Sequence, residues 1–214
     1  MKNKSKYILP AVSFILFIIL IILIKAVDVL PTGVGDTEIG LYHLNSAVKA
    51  FLGTNMVWYK LTQMTGLLSI ATGGIFAVIG LVQLIKKKSI LKVDREILFL
   101  GGLYITLGLV YVFFEKVIIN YRPLIMAGES TPEASFPSSH TVLAAVVAGS
   151  VFMIIEKYIK NKTIRNIIKA ACAILAVVTV IGRFLSGVHW VTDIFGGIIL
   201  SVCLLSLFKA VIKE

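Results

Sequence analysis

Two residues near the carboxyl end of the chain have types and a spacing that suit nucleophilic chemistry. His189 and Asp193 are four residues apart, so on a helix they share a face. The carboxylate can accept the proton of one imidazole nitrogen and leave the lone pair of the other exposed. A histidine oriented in this way is a nucleophile, a general base or a metal ligand. The alternative is an ordinary buried pair, but ionisable residues at the end of an apolar segment favour a functional role.

A second histidine lies at the predicted start of an apolar helix. Pro137, Ser138, Ser139 and His140 come directly before an uncharged segment, and a proline followed by serines is typical of a helix amino terminus. Such a terminus presents unpaired backbone N–H groups and the positive end of the helix dipole, which together bind anions. The alternative is that Ser138 only caps the helix and His140 is an interfacial side chain.

Three cations complete the set of candidate residues. Lys116 and Arg122 lie six residues apart at the end of another apolar segment, with Pro123 after them; alone, they would be read as interfacial cations. Arg183 lies six residues before His189. Cations around a helix amino terminus predict a pocket for a multiply charged anion, of which phosphate is the commonest. Since only one carboxylate and two histidines accompany them, we expect chemistry without a metal or other cofactor.

Long apolar segments must position these residues. The 214-residue chain is 58% apolar and 15% charged, with a mean hydropathy of +0.96, which excludes a soluble globular protein and a disordered chain. The pattern predicts an all-α integral membrane bundle of six transmembrane helices. The predicted spans are Tyr7–Ile24, Leu61–Ile85, Ile97–Phe114, Ser138–Ile155, Ile167–Ile181 and Thr192–Phe208. No small-residue cleavage site follows the first span, so we expect it to be retained and not removed as a signal peptide.

The distribution of charge predicts the orientation of the bundle. Placing both termini and the loops at 86–96 and 156–169 on one side collects 15 of the 21 basic residues there, and cytoplasmic loops accumulate Lys and Arg. We therefore expect both termini to be cytoplasmic and the candidate residues to face the extracytoplasmic side. The net charge of +10 then reflects membrane topology and not a nucleic-acid partner.

Two further features concern the surroundings of the spans. Between Val34 and Tyr59, apolar residues recur at helical spacing, which predicts an interfacial helix on the outer surface. Trp58 fits an aromatic belt beside it. Cys172 and Cys203 lie in apolar segments and are expected to be small buried residues, not a disulfide or a metal pair.

The three groups of candidates, in this order, resemble the motifs of the type 2 phosphatidic acid phosphatases. These enzymes are also called lipid phosphate phosphatases, and their wider superfamily includes vanadium haloperoxidases. The family pattern Lys-x6-Arg-Pro is similar to 116–123, Pro-Ser-Gly-His to 137–140, and Ser-Arg-x5-His-x3-Asp to 182–193. The six-span layout also resembles bacterial membrane members such as phosphatidylglycerophosphatase B and undecaprenyl-diphosphatase enzymes. The resemblance covers about residues 97–208 and implies one lipid phosphatase domain over residues 1–214.

Three positions depart from the family pattern. Glu115 lies seven residues before Arg122, so Lys116 comes one residue late, and one residue on a helix rotates a side chain by about 100 degrees. A lysine at a helix end is long enough to reach the site, so Lys116 stays among the candidates. Ser139 replaces glycine in the second motif, and Gly182 replaces serine in the third.

The resemblance implies a role for each candidate. His189 would attack phosphorus and form a phosphohistidine, and Asp193 would hold its ring. His140 would protonate the leaving group and then activate water. The phosphate oxygens would be bound by Arg122, Arg183, Lys116 and the backbone at Ser138 and Ser139.

The expected function is hydrolysis of a lipid phosphate or diphosphate at the outer face of a bacterial plasma membrane. Candidate substrates by resemblance are undecaprenyl diphosphate, phosphatidylglycerophosphate and phosphatidic acid. A lipid-linked phosphotransferase is the second enzymatic interpretation. A non-catalytic lipid transporter would keep the cations but would not need an oriented histidine and carboxylate. Haloperoxidase activity is disfavoured, because six spans serve a lipid substrate better than a diffusible halide.

Overall fold

The computed structural model describes residues 5–212 and consists almost entirely of helices. The α-helices among these residues are α1 (Ile8–Ala26), α2 (Tyr42–Leu52), α3 (Met56–Lys87), α4 (Arg95–Lys116), α5 (Ser139–Tyr158), α6 (Lys162–Ser186) and α7 (Val191–Ile212). Short 3₁₀ turns at Ser5–Tyr7 and Ile90–Lys92 precede α1 and α4. All of the α-helices except α2 are long and apolar enough to cross a membrane. The predicted all-α bundle of six spans is therefore confirmed.

The helices extend beyond the segments that hydropathy marks as apolar. α3 contains 32 residues, whereas about 20 are enough to cross the apolar core of a bilayer. α6 begins five residues before the predicted start at Ile167, with the side chain of Asn161 accepting a hydrogen bond from the backbone N–H of Ile164 as its cap. Charged and polar residues continue these helices because a helix that leaves the apolar core keeps its own backbone hydrogen bonds.

α5 and α7 lie at the centre of the bundle, and the other spans surround them. Roughly half of the most apolar part of α5 and of α7 is buried, against 22% or less for the other four spans. The two helices approach closely at glycines: a Cβ at Gly149 would lie 2.5 Å from Leu205 Cδ1, and one at Gly197 would lie 2.9 Å from Thr141 Cγ2. Small residues permit such close packing between membrane helices. The central pair thus forms a rigid base for residues at its ends.

The segment between α1 and α3 covers the end of the bundle at which α5 and α7 begin, which we call the site end. Strand β1 (Leu30–Pro31) pairs antiparallel with β2 (Glu38–Ile39), and α2 follows in the region where the sequence predicts a surface helix. Asn45 of α2 is fully buried. Its Oδ1 accepts a hydrogen bond from the hydroxyl of Thr192 at 3.1 Å. α2 is therefore tied to the first turn of α7.

Both cysteines are buried in different helices. Cys172 lies in α6 and Cys203 in α7, and each is a free thiol. The thiol of Cys203 donates to the carbonyl oxygen of Pro10 in α1 at 3.4 Å. Their predicted character as small buried residues is confirmed.

Candidate active site

The connection between α4 and α5, residues 117–138, folds back on itself at the site end. Tyr121 and Ala134 form an isolated antiparallel bridge, and the backbone N–H of Ser135 donates to the carbonyl oxygen of Asn120 at 3.0 Å. This pairing brings Asn120, Arg122 and Ser135 together beside the turn between α6 and α7. Candidate residues far apart in the chain thus reach one place.

His189 and Asp193 are close to each other, but a third side chain lies between them. His189 Nδ1 is 3.4 Å from Asp193 Oδ2 and 3.0 Å from Ser135 Oγ. The Ser135 hydroxyl donates to Asp193 Oδ2 at 2.5 Å, so its oxygen can only accept from Nδ1. This chain of hydrogen bonds places the ring proton of His189 on Nδ1.

The four-residue spacing suggests that the two residues share a helix face, but the structure does not place them on one. α7 begins at Val191, so His189 lies in the turn before the helix while Asp193 lies within its first turn. The backbone N–H of Trp190 donates to Asp193 Oδ2 at 2.9 Å, which folds the turn over the carboxylate. The geometry differs from the expectation because the carboxylate caps the helix start, where negative charge is favourable.

Asp193 is fully buried and receives several hydrogen bonds. Besides Ser135 and Trp190, Asn120 Nδ2 donates to its Oδ1 at 2.9 Å. A buried carboxylate is costly unless hydrogen bonds compensate for the lost water. Asp193 is therefore a fixed acceptor that orients the groups around it.

The second ring nitrogen of His189 is available for chemistry. Nε2 is buried and has no hydrogen-bond partner among residues 5–212, and His189 lines a cavity described below. Burial lowers the pKa of His189 below its usual value; Asp193 opposes this effect, and Arg122 and Arg183 add to it. A lowered pKa keeps the imidazole neutral near pH 7, so Nε2 carries a lone pair.

His140 and Ser139 lie in the first turn of α5 and line the same cavity. The space for the His140 ring depends on a glycine in α3, because a Cβ at Gly66 would lie only 2.8 Å from His140 Cδ2. Ser139 is the first residue of α5, where backbone N–H groups have no acceptor within the helix. Both residues are therefore placed as the sequence predicts.

Ser138 differs from the expectation. It is fully buried, and its backbone N–H donates to the carbonyl oxygen of Asp193 at 3.1 Å. Its hydroxyl does not cap α5 but accepts from the hydroxyl of Thr141 at 3.0 Å. Because its N–H is already paired, Ser138 joins α5 to α7 and is not a free donor for an anion.

Arg183 is fully buried at the end of α6. Its Nη2 donates to Gln63 Oε1 at 3.1 Å, and its guanidinium lies 5.0 Å from the centre of the Tyr59 ring. Gln63 in turn donates through Nε2 to the Tyr59 hydroxyl at 2.8 Å. Nε and Nη1 of Arg183 are buried without a partner among the described residues, so this guanidinium can donate to an anion.

Arg122 is partly paired. Its Nε lies 3.1 Å from Glu133 Oε2 in an ion pair that lacks hydrogen-bond geometry, and its Nη1 is buried without a partner in the described part of the chain. Arg122 and Arg183 both act electrostatically on His140 and His189. The two arginines and two histidines thus form one group.

Lys116 lies apart from this group. It is the last residue of α4, is exposed, and is not among the residues that line the cavity. Its neighbour Glu115, which occupies the position of the family lysine, does line the cavity. The one-residue shift in the first motif therefore places a carboxylate where the family pattern has a cation.

These residues surround one end of a cavity of about 800 Å³ between α3, α4 and α5. Its polar wall contains Gln63, Glu115, Arg122, Ser135, Ser139, His140 and His189. The remaining wall is mainly apolar and includes Leu67, Ile70, Leu107, Val110, Phe114 and Leu143. A cavity of this form suits a ligand with a charged head and an apolar tail. Within residues 5–212, no group of three or more His, Cys, Asp or Glu side chains is arranged to hold a metal ion.

Sequence reasoning did not identify Ser135, Asn120, Gln63 or Gly66. Ser135 lies two residues before the second motif, and Asn120 lies two residues before Arg122, so proximity to a motif was the available signal. Gln63 and Gly66 lie in α3, within or beside a predicted span. A polar residue near the end of a membrane helix is the signal that could have indicated Gln63.

Comparison with known proteins identifies a family and a similar fold. The model of the PAP2 superfamily matches residues 96–214. A solved structure is also similar: the transmembrane PAP2 type phosphatidylglycerolphosphate phosphatase from Bacillus subtilis, with a TM-score of 0.66 and 20% identity over 97% of this chain and 96% of that one. No match was found among the curated proteins.

Proposed function

Because the chain belongs to the PAP2 superfamily, we propose that it is a membrane phosphatase that hydrolyses a lipid phosphate or diphosphate through a phosphohistidine. The observation that supports this proposal most directly is the hydrogen bonding of the two ring nitrogens of His189. Its Nδ1 is held by Ser135 and Asp193, while its buried Nε2 has no partner among the described residues. A neutral imidazole with one fixed nitrogen and one free lone pair is prepared for nucleophilic attack.

In the first step, His189 Nε2 attacks phosphorus and forms a P–N bond. The bond from phosphorus to the lipid oxygen, or to the bridging oxygen of a diphosphate, breaks. A protonated His140 supplies the proton that this oxygen needs to leave. Arg122 and Arg183 donate to the equatorial oxygens as charge develops on them. The ring of His189 becomes positively charged, and the buried carboxylate of Asp193 stabilises it through Ser135.

In the second step, water replaces histidine on phosphorus. His140, now neutral, accepts a proton from the water as it forms the new P–O bond. The P–N bond breaks, and its electron pair returns to Nε2 of His189. Inorganic phosphate leaves. His140 is then protonated and His189 neutral again, as before the first step.

The apolar wall of the cavity supports a lipid as the substrate. The polar end holds Arg122, His140 and His189, and the apolar side chains of α3, α4 and α5 continue from it. Arg183 reaches this end through Gln63, which lines the cavity. A phosphate at the polar end would leave the attached tail against the apolar wall. Phosphatidylglycerophosphate, phosphatidic acid and undecaprenyl diphosphate all have this form.

We also propose that the site end faces the extracytoplasmic side of the plasma membrane. The two loops at the other end carry 10 of the 21 basic residues, against six at the site end, and cytoplasmic loops accumulate such residues. Transfer of the phosphoryl group to an acceptor other than water is the second candidate reaction, since it needs the same first step.

The test is phosphate release from a panel of lipid phosphates and diphosphates by the purified full-length protein, beside His189→Ala. We expect release by the parent and a loss of at least about a thousandfold in the variant, as for removal of a nucleophile. The phosphoryl group should also appear on the parent protein during turnover and withstand alkali, but not acid. Release by His189→Ala at the parent rate would contradict the nucleophile, and loss of activity with a chelator would contradict metal-independent hydrolysis.

A further inference from the structure

The cavity offers donors for one phosphate group and few for a second. The unpaired buried N–H groups beside it belong to Arg122 and Arg183, and the start of α5 at Ser139 adds backbone N–H groups. No lysine of residues 5–212 lines the cavity. One tetrahedral anion would use these donors, so a second phosphate would need others.

The second phosphate of a diphosphate would instead approach carboxylates. Glu115 lines the cavity in the last turn of α4, and Glu133 accompanies Arg122 at 3.1 Å. Tyr111, one helical turn before Glu115, lies close enough to Glu115, Glu133 and Arg122 to interact electrostatically with all three. Glu115 and Arg122 line the cavity, and Glu133 lies against Arg122 outside this lining.

The balance of charge in this region disfavours a highly charged head group. Arg122 and Glu115 are the arginine and the carboxylate that line the cavity, and Arg122 is already partly neutralised by Glu133. His189 is neutral in the resting state described above, so the protonated His140 and Arg183 are the other positive charges near the head group. A diphosphate carries at least one more negative charge than a monophosphate on the same tail. A carboxylate near this extra charge raises the energy of the bound diphosphate by Coulomb repulsion.

From these placements we infer that Glu115 is a specificity-determining residue that makes the enzyme prefer lipid phosphate monoesters over lipid diphosphates. This inference rests on the proposed function. Glu115 acts on the head group beyond the reacting phosphorus and does not take part in bond making. Its exposed position makes the effect depend on ionic strength.

The test compares farnesyl phosphate and farnesyl diphosphate, each supplied separately in detergent to the purified full-length protein. The quantity is the ratio of kcat/KM for diphosphate to that for monophosphate. A ratio from one preparation does not depend on how much of the protein is folded. The variants are Glu115→Gln and Glu115→Lys. The matched control is Glu129→Gln, which removes an exposed carboxylate from the connection that follows α4, outside the cavity.

We expect the parent to favour the monophosphate and Glu115→Gln to raise the ratio roughly fivefold to tenfold, as for one unit charge at several ångströms in a partly solvated site. Glu115→Lys should raise it further, and 0.5 M salt should reduce both effects. Glu129→Gln should leave the ratio unchanged.

The outcomes separate the two proposals. Phosphate release with the same ratio in the parent and Glu115→Gln overturns the role of Glu115 but leaves the phosphatase intact. An equal rise in Glu129→Gln also overturns it, because the effect would then come from the overall charge of the surface. Release from neither substrate by the parent, across the lipid panel as well, overturns the proposed function itself.

Discussion

The hydroxyl of Ser135 is the immediate partner of the proposed nucleophile. It stands 3.0 Å from His189 Nδ1 and 2.5 Å from Asp193 Oδ2, whereas the direct distance between these two atoms is 3.4 Å. The carboxylate therefore acts on the imidazole mainly through a neutral hydroxyl. This arrangement fixes the tautomer that leaves Nε2 unprotonated. In the proposed first step it would also spread the positive charge of the ring over two hydrogen bonds.

Removal of this hydroxyl should slow the chemistry more than it weakens substrate binding. In Ser135→Ala, Nδ1 of His189 loses its acceptor, and a buried unpaired donor costs about 1–3 kcal/mol. We expect kcat to fall roughly tenfold to a hundredfold, with KM changed less than about threefold. Steady-state kinetics on a lipid monophosphate measures both. Ser135→Thr, which keeps a hydroxyl, is the matched variant and should recover part of the rate. A change in KM alone would contradict the assigned role.

The protonation of His189 can be measured directly. Because burial lowers its pKa, the ring should stay neutral as the pH falls through about 6.5, the usual histidine value, and become charged only at lower pH. Its proton should lie on Nδ1. Nitrogen-15 spectra of histidine-labelled protein in detergent report both properties, and the signal absent from His189→Asn identifies the residue. A ring that is already charged at pH 7, or protonated on Nε2, would contradict the proposed resting state.

Residue types identify the candidate residues, but not the contacts that organise them. The sequence places a histidine four residues before an aspartate, and the structure keeps them close. Ser135, which is 54 residues from His189 along the chain, contacts the imidazole because the 117–138 connection folds back on itself. Lys116 and Glu115 also show what the sequence leaves open. Neighbouring residues on a helix point in directions about 100 degrees apart, and Glu115 lines the cavity whereas Lys116 does not. Such long-range and rotational details depend on tertiary packing.

At the scale of elements, α2 and the residue that follows it, Gly53, hold the turn that carries His189. Nζ of Lys49 donates to the carbonyl oxygen of Gly187 at 2.8 Å and to that of Gly53 at 3.0 Å. Gly187 has a φ of +62°, and a Cβ there would lie 2.0 Å from the Gly53 oxygen. Glycine is required because of both this close approach and the positive φ. The short helix therefore supports the α6–α7 turn by direct hydrogen bonds.

Replacement of Lys49 should disturb catalysis from outside the cavity. Lys49→Met keeps a long side chain but removes the donors to Gly187 and Gly53, so the turn before α7 gains freedom. Because a small misplacement of a reacting group can cost about a hundredfold in rate, we expect kcat to fall at least about fivefold. Lys60→Met is the control, since Lys60 is exposed in the first turns of α3 and outside this contact. Thermal unfolding monitors stability, and equal kinetics in the two variants would contradict the supporting role of α2.

Hydropathy located the elements but not their arrangement. All six spans were predicted, because about 20 apolar residues are a strong signal. Which helices lie at the centre could not be read in the same way: α5 is the least hydropathic span, yet it is among the most buried. Small residues such as Gly149 replace bulky apolar ones where helices touch. Apolar character therefore marks contact with lipid as much as burial in protein.

At the scale of the whole molecule, charge and site lie at opposite ends of the bundle. Within residues 5–212, 12 of the 18 basic residues lie in the loops and helix ends away from the site, and the site end has a net charge close to zero despite its arginines. The arginines that serve the site are buried or half-buried, so they contribute little to the surface. With the site end outward, as proposed above, the phosphatase would release phosphate outside the cell and leave its lipid product in the outer leaflet.

The orientation is testable with single cysteines at the two ends. Glu129→Cys places a thiol at the site end, and Lys92→Cys places one in the loop between α3 and α4; both positions are exposed. The native Cys172 and Cys203 are buried, so background labelling should be low. In intact cells, a membrane-impermeant maleimide should label Glu129→Cys, because the positive-inside rule places this end outward. Lys92→Cys should react only after the cells are permeabilised. The reverse pattern would place the candidate site on the cytoplasmic side and would require a substrate in the inner leaflet.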